Sequence, residues 1–151
     1  MKRLLPGLIS LALFFTLAAC GDRGEETAFD PAADAKTLLA SEAFSEARTE
    51  IDQETACILY GIDASEVTGA AAYGSTGTTA EELALFTFGT EEAAAEALKS
   101  LQYRIEDRKE ALTDYQPQEI VKLDSAVAVQ RGTSVLLVVA NDYAPVTDFL
   151  K

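Results

Sequence analysis

Between residues 91 and 113 the apolar positions Ala94, Ala97, Leu98, Leu101, Ile105 and Leu112 recur at helical steps. Glu96, Lys99, Gln102, Asp107, Lys109 and Glu110 take the other faces. The spacing predicts one long amphipathic helix, about 34 Å at 1.5 Å per residue. Gly89-Thr90 caps it, Glu91 and Glu92 complement its positive end, and Tyr115-Gln116-Pro117 stops it. Ahead of this helix the period turns to that of strands. Residues 66–73 read as a strand, Gly74-Ser75-Thr76-Gly77-Thr78-Thr79 carries turn chemistry, and residues 82–88 read as the antiparallel partner. Behind it, residues 125–130 and 134–140 flank Arg131-Gly132-Thr133, a second hairpin. Val135-Leu136-Leu137-Val138-Val139 is apolar at every position, as expected of a strand buried on both faces or central in its sheet. Asp30-Pro31 predicts the cap and first residue of a helix running through Ala35, Leu38 and Leu39 to Ser41 or Ala43. A second short helix spans 53–60 and ends at Gly61, and a terminal helix covers 145–151. The expected architecture is α+β: a largely antiparallel four-stranded sheet of two hairpins covered by one long helix, with N-terminal helices on the other face or an edge.

The first residues follow another logic. Lys2 and Arg3 precede an apolar stretch, 4–17, interrupted by Pro6-Gly7, Ser10 and Thr16. At roughly 14 residues it is shorter than the ~20 of a spanning helix. It leads into Leu17-Ala18-Ala19-Cys20, the layout of a bacterial lipoprotein signal peptide. Cys20 is then the lipid attachment site, with a thioether-linked diacylglycerol and two or three palmitate-type acyl chains, enough for stable anchoring. The domain organisation expected is signal peptide 1–19, lipidated cysteine and flexible tether 20–29, and a single α+β domain 30–151. The expected location is the extracytoplasmic face of the cell membrane.

Charge narrows the partners. The chain has 12 basic and 25 acidic residues, a net −13 that becomes −15 when Lys2 and Arg3 leave with the signal peptide. Such a surface repels phosphate backbones and anionic head groups, so nucleic acid is excluded as a partner and lipid, not a basic patch, supplies membrane contact. With Cys20 acylated, Cys57 has no intramolecular disulfide partner; within Thr55-Ala56-Cys57-Ile58-Leu59-Tyr60 it reads as a small buried hydrophobe.

Candidate chemistry is sparse. The absence of histidine excludes Ser-His-Asp and Cys-His catalysis and the usual zinc sites, and the absence of tryptophan removes the best sugar-stacking side chain. There is no Ser-x-x-Lys, and the 74–79 loop lacks the lysine of a phosphate-binding loop. Its hydroxyls leave it a small binding role as a mobile hairpin loop. Glu81-Glu82, Glu91-Glu92 and Asp142 near Asp148 offer carboxylate pairs, but none fits an EF-hand, and they read as a solvated acidic surface with helix capping. Asp63-Ala64-Ser65-Glu66-Val67 begins like a metal-adhesion motif and fails at its last serine. Arg104 and Arg108, one helical turn apart, either form a small anion site or pair with acids around them. No catalytic residue, metal ligand or cofactor is assigned.

The signal ending at Cys20, Tyr60-Gly61-Ile62-Asp63, Thr79-Ala80-Glu81-Glu82-Leu83-Ala84-Leu85-Phe86, the long helix with Arg104 and Arg108, and Gly132 before an apolar strand occur here in one order. Over residues 35–142 the chain resembles a family of small bacterial lipoproteins, mostly of Gram-positive gut bacteria, catalogued as a domain of unknown function. The resemblance implies localisation and domain identity and carries over no active site. Two function classes stay open. One is a non-catalytic binding or interaction module of the cell envelope, engaging an envelope protein or a small solute. The other is a carboxylate-based hydrolase acting on envelope glycans.

Overall fold

The computed structural model describes residues 26–151. The predicted signal peptide, Cys20 and the first part of the tether lie outside the described residues. The order is α1 (Pro31–Leu39), β1 (Thr49–Ile51), α2 (Gln53–Tyr60), β2 (Val67–Gly74), β3 (Glu82–Phe88), α3 (Glu91–Thr113), a 3-10 turn at Pro117–Glu119, α4 (Ile120–Asp124), β4 (Val127–Arg131), β5 (Ser134–Val139) and α5 (Ala144–Phe149). The fold class is α+β, as expected, and the strands form one antiparallel sheet in the order β1-β2-β3-β5-β4.

The expected four-stranded sheet is corrected to five strands. Strand β1 has only three residues, Thr-Glu-Ile, and its place comes from long-range pairing with β2, Thr49 opposite Gly74 and Ile51 opposite Ala72. Nor does one long helix cover the sheet alone. On one face Ala84, Phe86 and Phe88 of β3 and Val135, Leu137 and Val139 of β5 meet Ala94, Ala97, Leu101 and Ile105 of α3, with Ala56, Cys57 and Tyr60 of α2 in the same core. On the other face Leu83, Leu85, Leu136 and Val138 meet Ala35 and Leu38 of α1 and Val146 near α5's start. Strand β5 is thus buried on both faces, as its unbroken apolar run predicts. Each fully buried leucine of these cores contributes roughly 1.5–3 kcal/mol by leaving water.

Local chemistry sets the boundaries. Asp30 Oδ1 accepts from the Ala32 and Ala33 amides, both 3.0 Å, and opens α1. This helix stops at Leu39, short of the expected 41–43, where the Ser41 hydroxyl turns back to donate to the Leu38 carbonyl at 2.6 Å. Helix α2 ends at Gly61, whose φ of +65° is the left-handed region that favours glycine. Thr90 Oγ1 accepts from the Ala93 amide at 3.2 Å and starts α3. Phe29, assigned to the tether from the sequence, is buried: it stacks on Phe149 with centroids 6.2 Å apart, and the Arg131 guanidinium sits 4.7 Å from its ring centre.

Candidate binding site

Glu81 and Glu82 are successive residues at the entry to β3, and the alternation of an extended chain sends their side chains to opposite sides of the sheet. Both are buried, 1 % and 3 % exposed, which overturns their reading as a solvated acidic pair. Glu81 is enclosed by donors. Lys122 Nζ donates to Oε1 at 2.8 Å, the Ser45 amide donates to Oε2 at 2.9 Å, the Ser45 hydroxyl also donates to Oε1, and Arg48 Nη2 lies 3.3 Å from Oε2. Lys122 also meets Glu119 Oε2 at 3.2 Å, and that same oxygen accepts from the Ala80 amide at 2.8 Å. Burial pushes the Glu81 carboxyl up, but the hydrogen bonds of Lys122 and Ser45 and the lysine's charge outweigh it and hold the carboxyl below its ordinary value. Burial likewise pulls Lys122 down, and its bonds to Glu81 and Glu119 bring it above its ordinary value. The network ties the 41–48 segment to α4 across the end of β3; its chemistry is that of a clamp.

Glu82 points to the α3 face. Arg104 grips it with Nη2 at 2.7 Å from Oε2 and Nε at 3.0 and 3.2 Å from the two oxygens, and the Tyr60 hydroxyl donates to Oε2 at 3.1 Å. The Arg104 guanidinium lies 4.8 Å from the centre of the Tyr60 ring. Burial, then the Glu82 charge, pushes the Tyr60 phenol well above its ordinary value, so it stays a neutral donor. Of the two arginines singled out in the sequence, Arg104 is therefore half of a buried ion pair.

Arg108 is not paired. Its Nε is shielded from solvent and has no hydrogen-bond partner, and the side chain makes no ion pair among the described residues. It lines a cavity of about 240 Å³ together with Arg104, Glu82, Thr79, Leu112 and Gln116, at the end of the sheet where the 74–79 loop approaches the second half of α3. The structure thus joins two features that the sequence offered separately, the hydroxyl-rich loop and the arginine pair. The loop is braced from within, Ser75 Oγ accepting from the Gly77 and Thr79 amides at 3.2 and 3.1 Å. A wider groove of about 490 Å³ lies beside this cavity between α2 and α3, flanked by exposed Ile58 and Tyr103.

The other sequence candidates fall elsewhere. Cys57 is a free thiol, 2 % exposed, raised above its ordinary value by burial and then by the Asp63 charge. Asp63 caps its own turn, accepting at Oδ1 from the Ser65 amide and hydroxyl at 2.9 and 2.7 Å. Glu91 and Glu92 are exposed in the first turn of α3. Asp142 accepts from the Ala144 amide at 2.9 Å, while Asp148 pairs with Lys151 at 2.7 Å, so the two do not act together. Among the described residues no three His, Cys, Asp or Glu side chains group to hold a metal ion, and no helix is long and apolar enough to cross a membrane.

The sheet with helices on both faces, and a small arginine-lined cavity at one end, define the class: a small α+β domain built on one open antiparallel sheet. The family model of a domain of unknown function, DUF4358, matches residues 41–140, and the chain belongs to that family. No curated protein and no solved structure matches the chain. The matched segment runs from the residues before β1 to the end of β5, so it takes in both ion-pair clusters and the cavity.

Proposed function

We propose that the protein is a lipid-anchored extracytoplasmic lipoprotein, held at the membrane through Cys20, whose domain is a non-catalytic binding module of the cell envelope. One observation carries the module reading: the buried carboxylates of Glu81 and Glu82 are each neutralised by a cation, while the arginine beside them, Arg108, lines a cavity and makes no ion pair among the described residues. A glycoside hydrolase needs two carboxyl groups across one cleft, one of them holding its proton near neutral pH. Here Glu81 and Glu82 project to opposite sides of the sheet, and Glu81 is held below its ordinary value. That arrangement favours holding a ligand over transferring a proton. The groove between α2 and α3 gives the module a second, more apolar surface for an envelope protein.

The anchor rests on the layout around Cys20 and has its own test. Cys20→Ser should move the protein from the membrane to the soluble fraction and abolish the mass increment of the acyl chains; membrane retention of the variant refutes the anchor. For the module, the wild-type protein incubated with cell-wall glycan strands should release no new reducing ends. Turnover that ceases in Glu81→Gln or Glu82→Gln would establish the hydrolase instead.

A further inference from the structure

We infer that the cavity between the 74–79 loop and the second half of α3 binds a small organic monocarboxylate, its charged end on the Arg108 guanidinium and its body against Leu59, Leu112 and Tyr115. The inference deepens the binding-module reading and rests on it. Arg108 is held by packing and not by an opposite charge, since its Nε is out of solvent yet has no hydrogen-bond partner among the described residues. A buried, unsatisfied donor in an otherwise well-paired structure calls for an explanation, and a fork of donors without an acceptor fits a planar carboxylate.

Charge fixes the valence of the ligand. Arg104, one turn before Arg108, is neutralised by Glu82, and Glu81 on the lining is neutralised by Lys122 and Arg48. Arg108 is therefore the one charged side chain on the lining without an ion-pair partner among the described residues. A monoanion balances it, whereas a phosphate dianion would add uncompensated negative charge beside two glutamates in a chain of net −13. Two further donors on the lining are unspent. Thr79 Oγ1 accepts from Arg48 Nη1 at 3.2 Å and from the Glu81 amide at 3.3 Å, leaving its own hydrogen without an acceptor, and the Gln116 side-chain amide has no partner among the described residues. Size and polarity set the rest. At about 240 Å³ the cavity is below the ~300–1,000 Å³ of sites for drug-sized ligands, and its apolar wall ends in Leu59 and Tyr115, both exposed. A carboxylate with a few apolar carbons matches these features.

Isothermal titration of the full chain, purified in a neutral detergent, tests this with butyrate and benzoate as probes, and with benzamide and inorganic phosphate as comparisons. The expected result is saturable binding of at least one carboxylate, weakened about tenfold or more in Arg108→Gln, partly kept in Arg108→Lys, and absent for benzamide. Thermal unfolding of the Arg108→Gln variant should match the wild type, because the side chain has no hydrogen-bond or ion-pair partner among the described residues to lose. Carboxylate binding that is absent, that is unchanged in Arg108→Gln, or that benzamide reproduces overturns the inference. Phosphate binding more tightly than either carboxylate also overturns it, in favour of a phosphorylated ligand. Glycan turnover in the assay above is the separate sign that the module reading itself has failed; lost carboxylate binding without turnover removes only the monocarboxylate.

Discussion

Replacing Arg104 by methionine removes the charge that neutralises Glu82 while keeping most of the aliphatic stem. Glu82 sits at the start of a central strand with its side chain 4 % exposed, and Arg104 is 13 % exposed, so water cannot substitute for the lost guanidinium. Four hydrogen-bond contacts from one side chain disappear, three to Glu82 and one to the Leu59 carbonyl, and among the described residues only the Tyr60 hydroxyl remains to Glu82. Breaking a buried pair by removing one partner costs about 3–5 kcal/mol, because it strands the other charge. That is a large part of the ~5–15 kcal/mol by which a domain is stable. The companion change Glu82→Gln relieves the stranded charge, so the double variant Glu82→Gln/Arg104→Met should be more stable than Arg104→Met alone. Urea unfolding followed by far-ultraviolet circular dichroism gives all four corners of the cycle, tryptophan fluorescence being ruled out by the absence of tryptophan. A loss below about 1 kcal/mol, or single losses that simply add in the double variant, would refute the reasoning.

Leu101, fully buried between α3 and the sheet, should cost about 2–5 kcal/mol on truncation to alanine, read as a lower urea midpoint at unchanged slope; an unchanged midpoint would show that α3 packs by another face. Cys57 should label slowly with thiol reagents in the folded protein and fast in urea, since it is buried and its thiol is held above its ordinary value. Stability should decline toward both pH extremes through the Glu81–Lys122 pair. Glu81 lies below its ordinary value, so its contribution is present above about pH 4.5 and is lost as pH falls through the folded value. Lys122 lies above its ordinary value, so its contribution is complete below about pH 10.5 and is lost as pH rises through the folded value. Lys122→Met should destabilise the protein at neutral pH and flatten the acid limb, because Glu81 then loses its principal hydrogen-bonding cation; an acid limb identical to the wild type would contradict this.

The parts of the fold that were legible in the sequence are those whose determinants are local. Helix α3 has the expected bounds because its cap, apolar stripe and stop lie within thirty residues or so. Both hairpins follow from turn residues between apolar runs, and β2 forms despite Ala70-Ala71-Ala72 because its register along β3 supplies what propensity does not. Strand β1 was illegible for the opposite reason: three residues carry no period, and only the β2 edge recruits them. Helix α4 was hidden by Pro117, which ends α3 but also opens the 3-10 turn that leads into the next helix. The site is harder still to read. Glu81 and Glu82 look like surface acids by composition, and the signal of their burial is positional: they sit between Ala80 and the apolar run of β3, in a strand flanked on both sides. Which arginine pairs with Glu82 and which does not depends on long-range placement, and spacing alone gives Arg104 and Arg108 equal claims.

The most direct test of the claim that the arginine-lined cavity takes a monocarboxylate is the location of a bound anion. Amide shift mapping of the isotopically labelled full chain, titrated with benzoate, reads that location residue by residue. The account predicts saturable shifts at Thr79, Arg108, Leu112 and Gln116, around the arginine-lined cavity, and their loss in Arg108→Gln. Shifts confined to Ile58 and Tyr103 in the neighbouring groove, or no saturable shifts at all, would contradict it.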